Sequence, residues 1–202
     1  RAEAGASLFS IASCALRQGL GGAEFAAGIP GTLGGAVFMN AGAYGGQMAD
    51  IVVRTHYLDG EGKIGTIEGD AHQFGYRESV FKSNPDWIVL SSELRLSPDS
   101  ADVIREKMQD YAQRRRDKQP LEFPSAGSTF KRPEGYFAGK LIQDSGLMGY
   151  TVGGAQVSEK HAGFLINRGG ATCADMLALI EHVQQTVLKN FGVELHCEVR
   201  LV

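Results

Sequence analysis

Residues 28–46 read GIPGTLGGAVFMNAGAYGG. Seven of these nineteen residues are glycine and none is charged. A run so rich in glycine follows no single regular element, because glycine opens backbone angles that side chains forbid and lets the chain approach a ligand closely. With no Lys or Arg in the stretch, an anion bound there falls to backbone N–H groups, as at nests and helix N-termini. The plainer reading is a set of tight turns in a buried corner. Which of the two applies depends on the rest of the chain.

At 202 residues the chain suits one large domain or two small ones. Its hydrophobic fraction of 43% and charged fraction of 21% are ordinary for a globular protein. A formal net charge of −3 and the lack of a basic stripe argue against a nucleic-acid partner. Cys14, Cys173 and Cys197 are three in number and lie far apart, which reads as reduced thiols in the cytoplasm rather than a disulfide or metal set. No apolar run approaches the ~18 residues of a membrane span, and no signal peptide opens the chain. The chain starts at Arg1 without an initiator Met, which reads as a fragment or a processed product.

Working outward, Ser7–Gln18 carries Leu8, Ile11, Ala12, Ala15 and Leu16 at a helical period, with Gly19 as the stop. Ile51–Asp59 is rich in β-formers, Asp59-Gly60 signals a turn, and Lys63–Glu68 is the expected return strand. Phe74–Lys82, FGYRESVFK, fits neither period, and Trp87–Leu96 reads as a strand. Ser97 and Pro98 suit the N-cap and first position of a helix that runs through Ile104, Met108 and Tyr111 to Arg114-Arg115-Arg116 and Lys118. A basic run there complements the helix macrodipole. Gln119–Ser125 holds two prolines and reads as a linker, so the expected domains are 1–100 and 101–202, with the change of lobe completed by Pro120.

Beyond the linker, Tyr136–Ser145 is a short helix, and Tyr150–Val157 and Phe164–Asn167 are strands. Thr172–Phe191 is the clearest helix, with Thr172 and Asp175 as a capping box, Met176, Leu177, Ile180, Val183 and Val187 as its apolar face, and Gly192 as its end. Val193–Val202 alternates apolar and polar residues and predicts a strand. Helices and strands mix without a βαβ rhythm, so the fold class is α+β.

The one G-x-G-x-x-G, Gly60–Gly65, lies in the expected turn and return strand rather than ahead of a helix and so supports no Rossmann nucleotide site, Gly135–Lys140 is one residue short of a Walker A loop, and the five histidines show no metal spacing. Four polar positions remain. Ser128 follows Gly127 after the linker, either as a hydroxyl presented to a cavity or as a turn serine. Arg77 lies in the irregular aromatic segment, as a bidentate clamp for carboxylate or phosphate or as a surface arginine. Glu198 stands on the polar side of the last expected strand, where a solvated face is the alternative. Lys118 meets a diphosphate or caps a helix. These residues alone do not define a reaction.

Taken together, five segments resemble one family. GIPGTLGGAVFMNAGAYG, FGYRESVFK, PSAGSTFKRP, VGGAQVSEKHAGFLIN and FGVELHCEVRLV stand in the order and spacing of the UDP-N-acetylenolpyruvoylglucosamine reductases. These MurB flavoenzymes of peptidoglycan synthesis are also called UDP-N-acetylmuramate dehydrogenases. The resemblance spans essentially the whole chain, and the direct step from Ser97 to PSAGSTF is similar to the shorter form of the enzyme. It implies an FAD-binding domain of the vanillyl-alcohol-oxidase/PCMH type followed by a substrate domain. NADPH would reduce the flavin, which would pass hydride to C3 of the enolpyruvyl group of UDP-N-acetylglucosamine enolpyruvate, and a proton would go to C2. By the same resemblance Ser128 is the proton donor, and Arg77 and Glu198 stabilise the enol-type intermediate.

The implied binding residues follow in the same way. Lys118 would meet the UDP diphosphate; Tyr76, Arg132 and His161 would contact substrate. Gly28, Ile29, Pro30, Gly31, Gly34, Gly35, Asn40, Ala41, Gly42 and Ala43 would form the flavin cradle, mainly through backbone. Arg132 stands where the longer form has asparagine, and Met148 where lysine is frequent. The family pattern also places an N-terminal subdomain with a second glycine-rich loop before Arg1, so the alternative is a non-catalytic fragment that binds the sugar nucleotide but not FAD. Another flavin oxidoreductase of the same fold is a weaker reading, against which Ser128, Arg77 and Glu198 stand together. The expected protein is a monomer of the bacterial cytoplasm acting in cell-wall biogenesis, and so in cell shape and division.

Overall fold

Two stretches rich in β-formers meet across the Asp59 turn and form the spine of the first unit. The computed structural model describes residues 1–201. The chain divides into two units, Arg1–Arg115 and Arg116–Val202. In the first unit, β1 (Ala2–Glu3), α1 (Leu8–Arg17), β2 (Leu20–Gly21), α2 (Leu33–Met39), β3 (Gly42–Ala43) and β4 (Gly46–Gln47) precede the main strands β5 (Val52–Leu58) and β6 (Ile64–Glu68). Then come α3 (Val80–Ser83), β7 (Ile88–Leu94), β8 (Ser97–Pro98) and α4 (Ala101–Lys118). The main sheet is antiparallel in the order β1-β7-β5-β6.

The Asp59 carboxylate accepts the N–H groups of Glu61 and Lys63 and closes the β5–β6 turn. α1 starts where predicted: the Ser7 hydroxyl accepts the N–H of Ser10, and Gly19 adopts φ +64° beyond the C-cap. Leu8, Ala12 and Ala15 of α1, Leu33, Ala36 and Val37 of α2, and Phe81 of α3 bury together with Val52 and Val89 of the sheet. Tyr57 and Trp87 stack at 4.2 Å over the edge of Phe81.

The second unit holds β9 (Ser125–Ser128), α5 (Ala138–Asp144), β10 (Thr151–Val152), β11 (Ala155–Val157), β12 (Phe164–Asn167) and α6 (Cys173–Phe191). Its sheet is antiparallel in the order β10-β11-β12-β9. Leu179, Val183 and Val187 of α6 pack with Leu141 and Ile142 of α5, Val157, Leu165 and Leu195. The predicted capping box is formed: Thr172 Oγ1 accepts the Asp175 N–H, and Asp175 accepts the Thr172 N–H.

The structure departs from the sequence reading at five places. Ser97 and Pro98 do not open a helix; they pair with Leu20 and Gly21 as β8, and α4 begins at Ala101. The Asp99 N–H donates to Gly19 O, and that pairing holds the residues extended. Tyr150–Val157 is a hairpin rather than one strand, turning at Gly153 with φ +53°. Leu177 is 39% exposed, while Leu179, not assigned to the apolar face of α6, is fully buried.

Val193–Val202 is not a strand over its described residues. It makes one bridge, Phe130 to Cys197, flanked by Lys131 N–H to His196 O and Glu198 N–H to Thr129 O. The next donor required from the neighbouring segment is Pro133, which has no N–H. The burial alternation survives without the ladder, with Leu195 buried between exposed Glu194 and His196. Val202 lies outside the described residues.

Finally, the division into units falls at Arg115/Arg116, inside α4, rather than at residue 100. Ile104 of α4 is buried, Met108 packs on the first core and Tyr111 stacks on Tyr44. Most of the helix therefore belongs with the first unit.

Candidate functional site

The glycine stretch is built around α2, a seven-residue helix that the sequence reading did not assign. Val37 and Leu33 anchor it in the core at 0% exposure, while Gly28, Pro30, Gly31 and Gly35 are exposed. A Cβ on Gly31 would meet nothing within 4 Å, and one on Gly35 only Thr32 Oγ1 at 4.0 Å. That face of the stretch borders open space. Gly34 and Gly42 differ: a Cβ on Gly34 would lie 3.1 Å from Ala4 Cβ, and one on Gly42 2.7 Å from Gly46 O. These two glycines are required by packing. Of the N–H groups at the start of α2, those of Leu33 and Gly34 donate to Ala6 and Ala4 carbonyls. Ile29 N–H donates to Ala26 O and Ala41 N–H to Ala36 O.

Asn40 ends α2 in the left-handed conformation at φ 42° and is buried. Its Nδ2 donates to Gly75 O and Gln47 Oε1, and its Oδ1 accepts the Ala49 N–H. The side chain is thus turned inward and holds three segments together. Ala43 precedes the tight turn at Tyr44 and Gly45, both at positive φ.

The irregular segment Phe74–Lys82 wraps the C-terminal end of α2. Ser79 Oγ donates to Phe38 O at 2.7 Å. Arg77 takes the left-handed conformation at φ 58°, rare for a residue with a Cβ and common where a site over-determines the backbone. Its Nη2 donates to Gly42 O, its Cζ lies 5.0 Å from the Tyr76 ring, and its own carbonyl accepts from Lys82 Nζ. Arg77, exposed Tyr76, Asn40, Ala41 and Gly42 are therefore brought together within the first unit.

In the second unit, Ser128 ends β9 opposite Phe164. Thr129 is buried and its Oγ1 accepts the Leu165 N–H, whereas Ser128 is exposed. The Glu198 N–H donates to Thr129 O, which sets Ser128 and Glu198 on adjoining segments. Ser158 Oγ accepts the N–H groups of Lys160 and His161 and forms a tight turn. His161 Nδ1 accepts the Gly163 N–H, so the neutral ring carries its proton on Nε2 as a donor. Burial, with a smaller contribution from Lys118, lowers the His161 pKa from 6.5 and keeps the ring neutral. Lys118 stands exposed at the end of α4, where Lys160 Nζ donates to Arg116 O. Arg132 Nε donates to Tyr136 O and its Cζ sits 3.9 Å from the Phe137 ring centroid.

One residue of this region escaped the sequence reading. Arg115 lies against Gly28, and its Nε is buried without a hydrogen-bond partner. The spacing Ile104, Met108, Tyr111, Arg115 follows one helix face and could have placed it there.

Family models match both units. One described as an FAD binding domain matches residues 1–68, and one described as the C-terminal domain of UDP-N-acetylenolpyruvoylglucosamine reductase matches residues 119–202. A crystal structure of UDP-N-acetylenolpyruvylglucosamine reductase (MurB) from Thermus caldophilus superposes with a TM-score of 0.85 at 34% identity, over 98% of this chain and 71% of that one. The chain belongs to the UDP-N-acetylenolpyruvoylglucosamine reductase family. Among the curated reductases, that of Caldanaerobacter subterraneus subsp. tengcongensis is 54% identical over 201 residues, 100% of this chain and 66% of its own length. That of Pediococcus pentosaceus is 53% identical, over 67% of its length. The chain thus spans about two thirds of the reductases it matches. Among the described residues no helix is long and apolar enough to cross a membrane.

Proposed function

We propose that the protein reduces UDP-N-acetylglucosamine enolpyruvate to UDP-N-acetylmuramate with NADPH and FAD, as a monomer in the bacterial cytoplasm. The reaction serves peptidoglycan synthesis and, through it, cell shape and division. The observation that carries the reading is the fixing of Arg77 beside the glycine stretch by the bonds from Asn40 to Gly75 O, Ser79 to Phe38 O and Arg77 to Gly42 O. A strained arginine tied to an open, charge-free glycine face suits a flavin site that also handles a carboxylate.

The residues present fit FAD: the exposed backbone of Pro30, Gly31 and Gly35 faces the open space in which a Cβ at Gly31 would stand, and Gly28 continues that run beside Arg115. Ile29, Gly34, Asn40, Ala41, Gly42 and Ala43 support that face from behind. The flavin, when bound, supplies the hydride for C3 of the enolpyruvyl group, drawn from NADPH. Arg77 offers charge-assisted donors to the enolate and carboxylate oxygens as negative charge grows on them. Ser128 Oγ delivers its proton to C2, and its exposed position lets solvent restore that proton. Glu198 is the hydrogen-bonding partner in the same step. Lys118 binds the UDP diphosphate. Tyr76, Arg132 and the Nε2–H of His161 contact the sugar nucleotide.

The test is made on the whole gene product. It should purify with FAD and oxidise NADPH rapidly only when the enolpyruvyl sugar nucleotide is added. A protein that takes up no flavin and shows no turnover would sink the reading. Ser128→Ala should slow flavin reoxidation by substrate by about 10²-fold or more and leave flavin reduction by NADPH intact. Equal loss in both half-reactions would remove Ser128 from the proton-donor role.

A further inference from the structure

Helix α4 carries a stripe that docks onto the glycine stretch. Ile104 is 1% exposed, Met108 packs on the first core, and the Tyr111 ring stacks on Tyr44 at 4.5 Å with 8° between planes. One turn further, Arg115 lies over Gly28. A Cβ built on Gly28 would stand 3.2 Å from both Cζ and Nε of Arg115 and 3.4 Å from Nη1. The absence of a side chain at Gly28 is what lets the guanidinium rest there.

The position is unusual for a cation. Arg115 Nε is removed from solvent and has no hydrogen-bond partner. Among the described residues, no carboxylate pairs with Arg115. Asp110 pairs with Arg114, and Asp99 and Glu24 with Lys107. A buried, unsatisfied charged donor persists where something outside the protein satisfies it. The helix macrodipole accounts for a basic residue near the end of α4. It does not account for one turned inward beneath a glycine, when Arg114 and Arg116 stay exposed.

The glycine stretch has the matching deficit. It holds no charge, and the Leu33 and Gly34 N–H groups that would serve an anion at the start of α2 already bond Ala6 and Ala4 carbonyls. We propose that Arg115 is the anion-binding residue of the Gly28–Gly46 cradle, its guanidinium receiving a phosphate oxygen of the dinucleotide bound there. This rests on the reading of the cradle as a dinucleotide site. The same phosphate chemistry comes from FAD or from NADPH, and the measurement below separates them.

The whole gene product, stripped of flavin, is titrated with FAD, with riboflavin (which lacks phosphate) and with NADPH, following flavin fluorescence and heat of binding. The variants are Arg115→Met, which keeps the apolar stem, Arg115→Lys, which keeps the charge, and Gly28→Ala, which displaces the guanidinium by a few tenths of an ångström. Arg115→Met should weaken FAD binding about tenfold or more, leave riboflavin binding within twofold, and flatten the salt dependence of FAD affinity. Arg115→Lys should fall between wild type and Arg115→Met, and Gly28→Ala should weaken FAD more than riboflavin. If Arg115→Met weakens NADPH and not FAD, Arg115 remains an anion site with the nicotinamide dinucleotide as its source. If wild type itself takes up no FAD, the flavin reading of the cradle fails, and the NADPH arm still decides Arg115. Affinities for FAD and NADPH both within twofold of wild type in Arg115→Met, or equal loss of FAD and riboflavin, would overturn the proposal. Should Arg115→Met fold poorly, the Arg115→Lys and Gly28→Ala comparisons decide it in the same way.

Discussion

Asn40 Nδ2 donates to the carbonyl oxygen of Gly75 at 2.8 Å, across 35 positions of sequence. This bond joins the end of the glycine-rich helix to the segment that presents Arg77. Asn suits the position twice over: its short amide tolerates the left-handed backbone at φ 42°, and it serves three partners from a site that water does not reach.

Asn40→Ala should therefore destabilise the protein by about 2–4 kcal/mol, since it leaves the Ala49 N–H and Gly75 C=O without their partner and places a Cβ-bearing residue with no compensating amide at positive φ. Urea unfolding measures the stability. Because Arg77 is held through the same segment, steady-state turnover at saturating substrate should fall further than the unfolded fraction explains. Full stability in Asn40→Ala would refute the bridging role.

Gly42→Ala puts a methyl 2.7 Å from Gly46 O and 2.9 Å from Gln47 Cβ. The first of these is backbone in a two-residue hairpin, which has no rotamer through which to yield. The expected cost is about 1–3 kcal/mol, in the range of overpacked sites. Gly35→Ala, whose Cβ would meet only Thr32 Oγ1 at 4.0 Å, should leave the thermal midpoint within a degree or two and act on flavin uptake instead. Calorimetry of the pair separates a glycine needed by the fold from one facing the ligand side.

His72 is fully buried, with Nδ1–H donating to Gly69 O and Nε2 accepting from the Thr55 hydroxyl, which in turn accepts from Ser92. Burial lowers its pKa from the ordinary 6.5. The unfolded chain then takes up the proton first as pH falls. The stability held by the neutral ring is fully present above about pH 6.5 and drains away below it. Urea midpoints measured from pH 8 to pH 5 should fall through this window. His72→Phe, whatever its stability at pH 8, should show a flatter profile.

Thr172→Ala removes the N-cap of α6 and leaves the Asp175 N–H without its acceptor. Its thermal midpoint should drop by a few degrees at neutral pH. Asp175 is held below its usual pKa, first by the Thr172 N–H and then by the Thr172 hydroxyl. Its contribution is present above about pH 4 and lost as pH falls through the folded-state value. The gap between wild type and Thr172→Ala should accordingly narrow in strong acid, which a pH series of thermal melts would register.

Much of the local structure was legible because it is set by neighbours in sequence. Ser7 and Gly19 bound α1, Thr172, Asp175 and Gly192 bound α6, and the β-formers on either side of the Asp59-Gly60 turn made β5 and β6. The errors arose where a distant partner overrode the local signal. Ser97-Pro98 has the grammar of a helix start, yet pairs with Leu20-Gly21. Val193–Val202 has the alternation of a strand, yet faces a segment in which Pro133 cannot extend the ladder. The seven residues of α2 were hidden because glycine disfavours helix on its own, and burial of Leu33 and Val37 outweighs that preference.

The sequence by itself determined the α+β class, the order of the main helices and strands, and the family, since five motifs in order span nearly every residue. It also singled out the glycine stretch and Ser128, Arg77 and Glu198. The tertiary structure alone decided which glycines face open space and which are forced by packing, because that depends on what stands within 4 Å of an absent Cβ. It likewise decided that Asn40 faces inward, and that the Arg115 guanidinium lies against Gly28. A hydrogen bond or a cation acts over a few ångströms, and only the folded chain sets which residues lie within that reach.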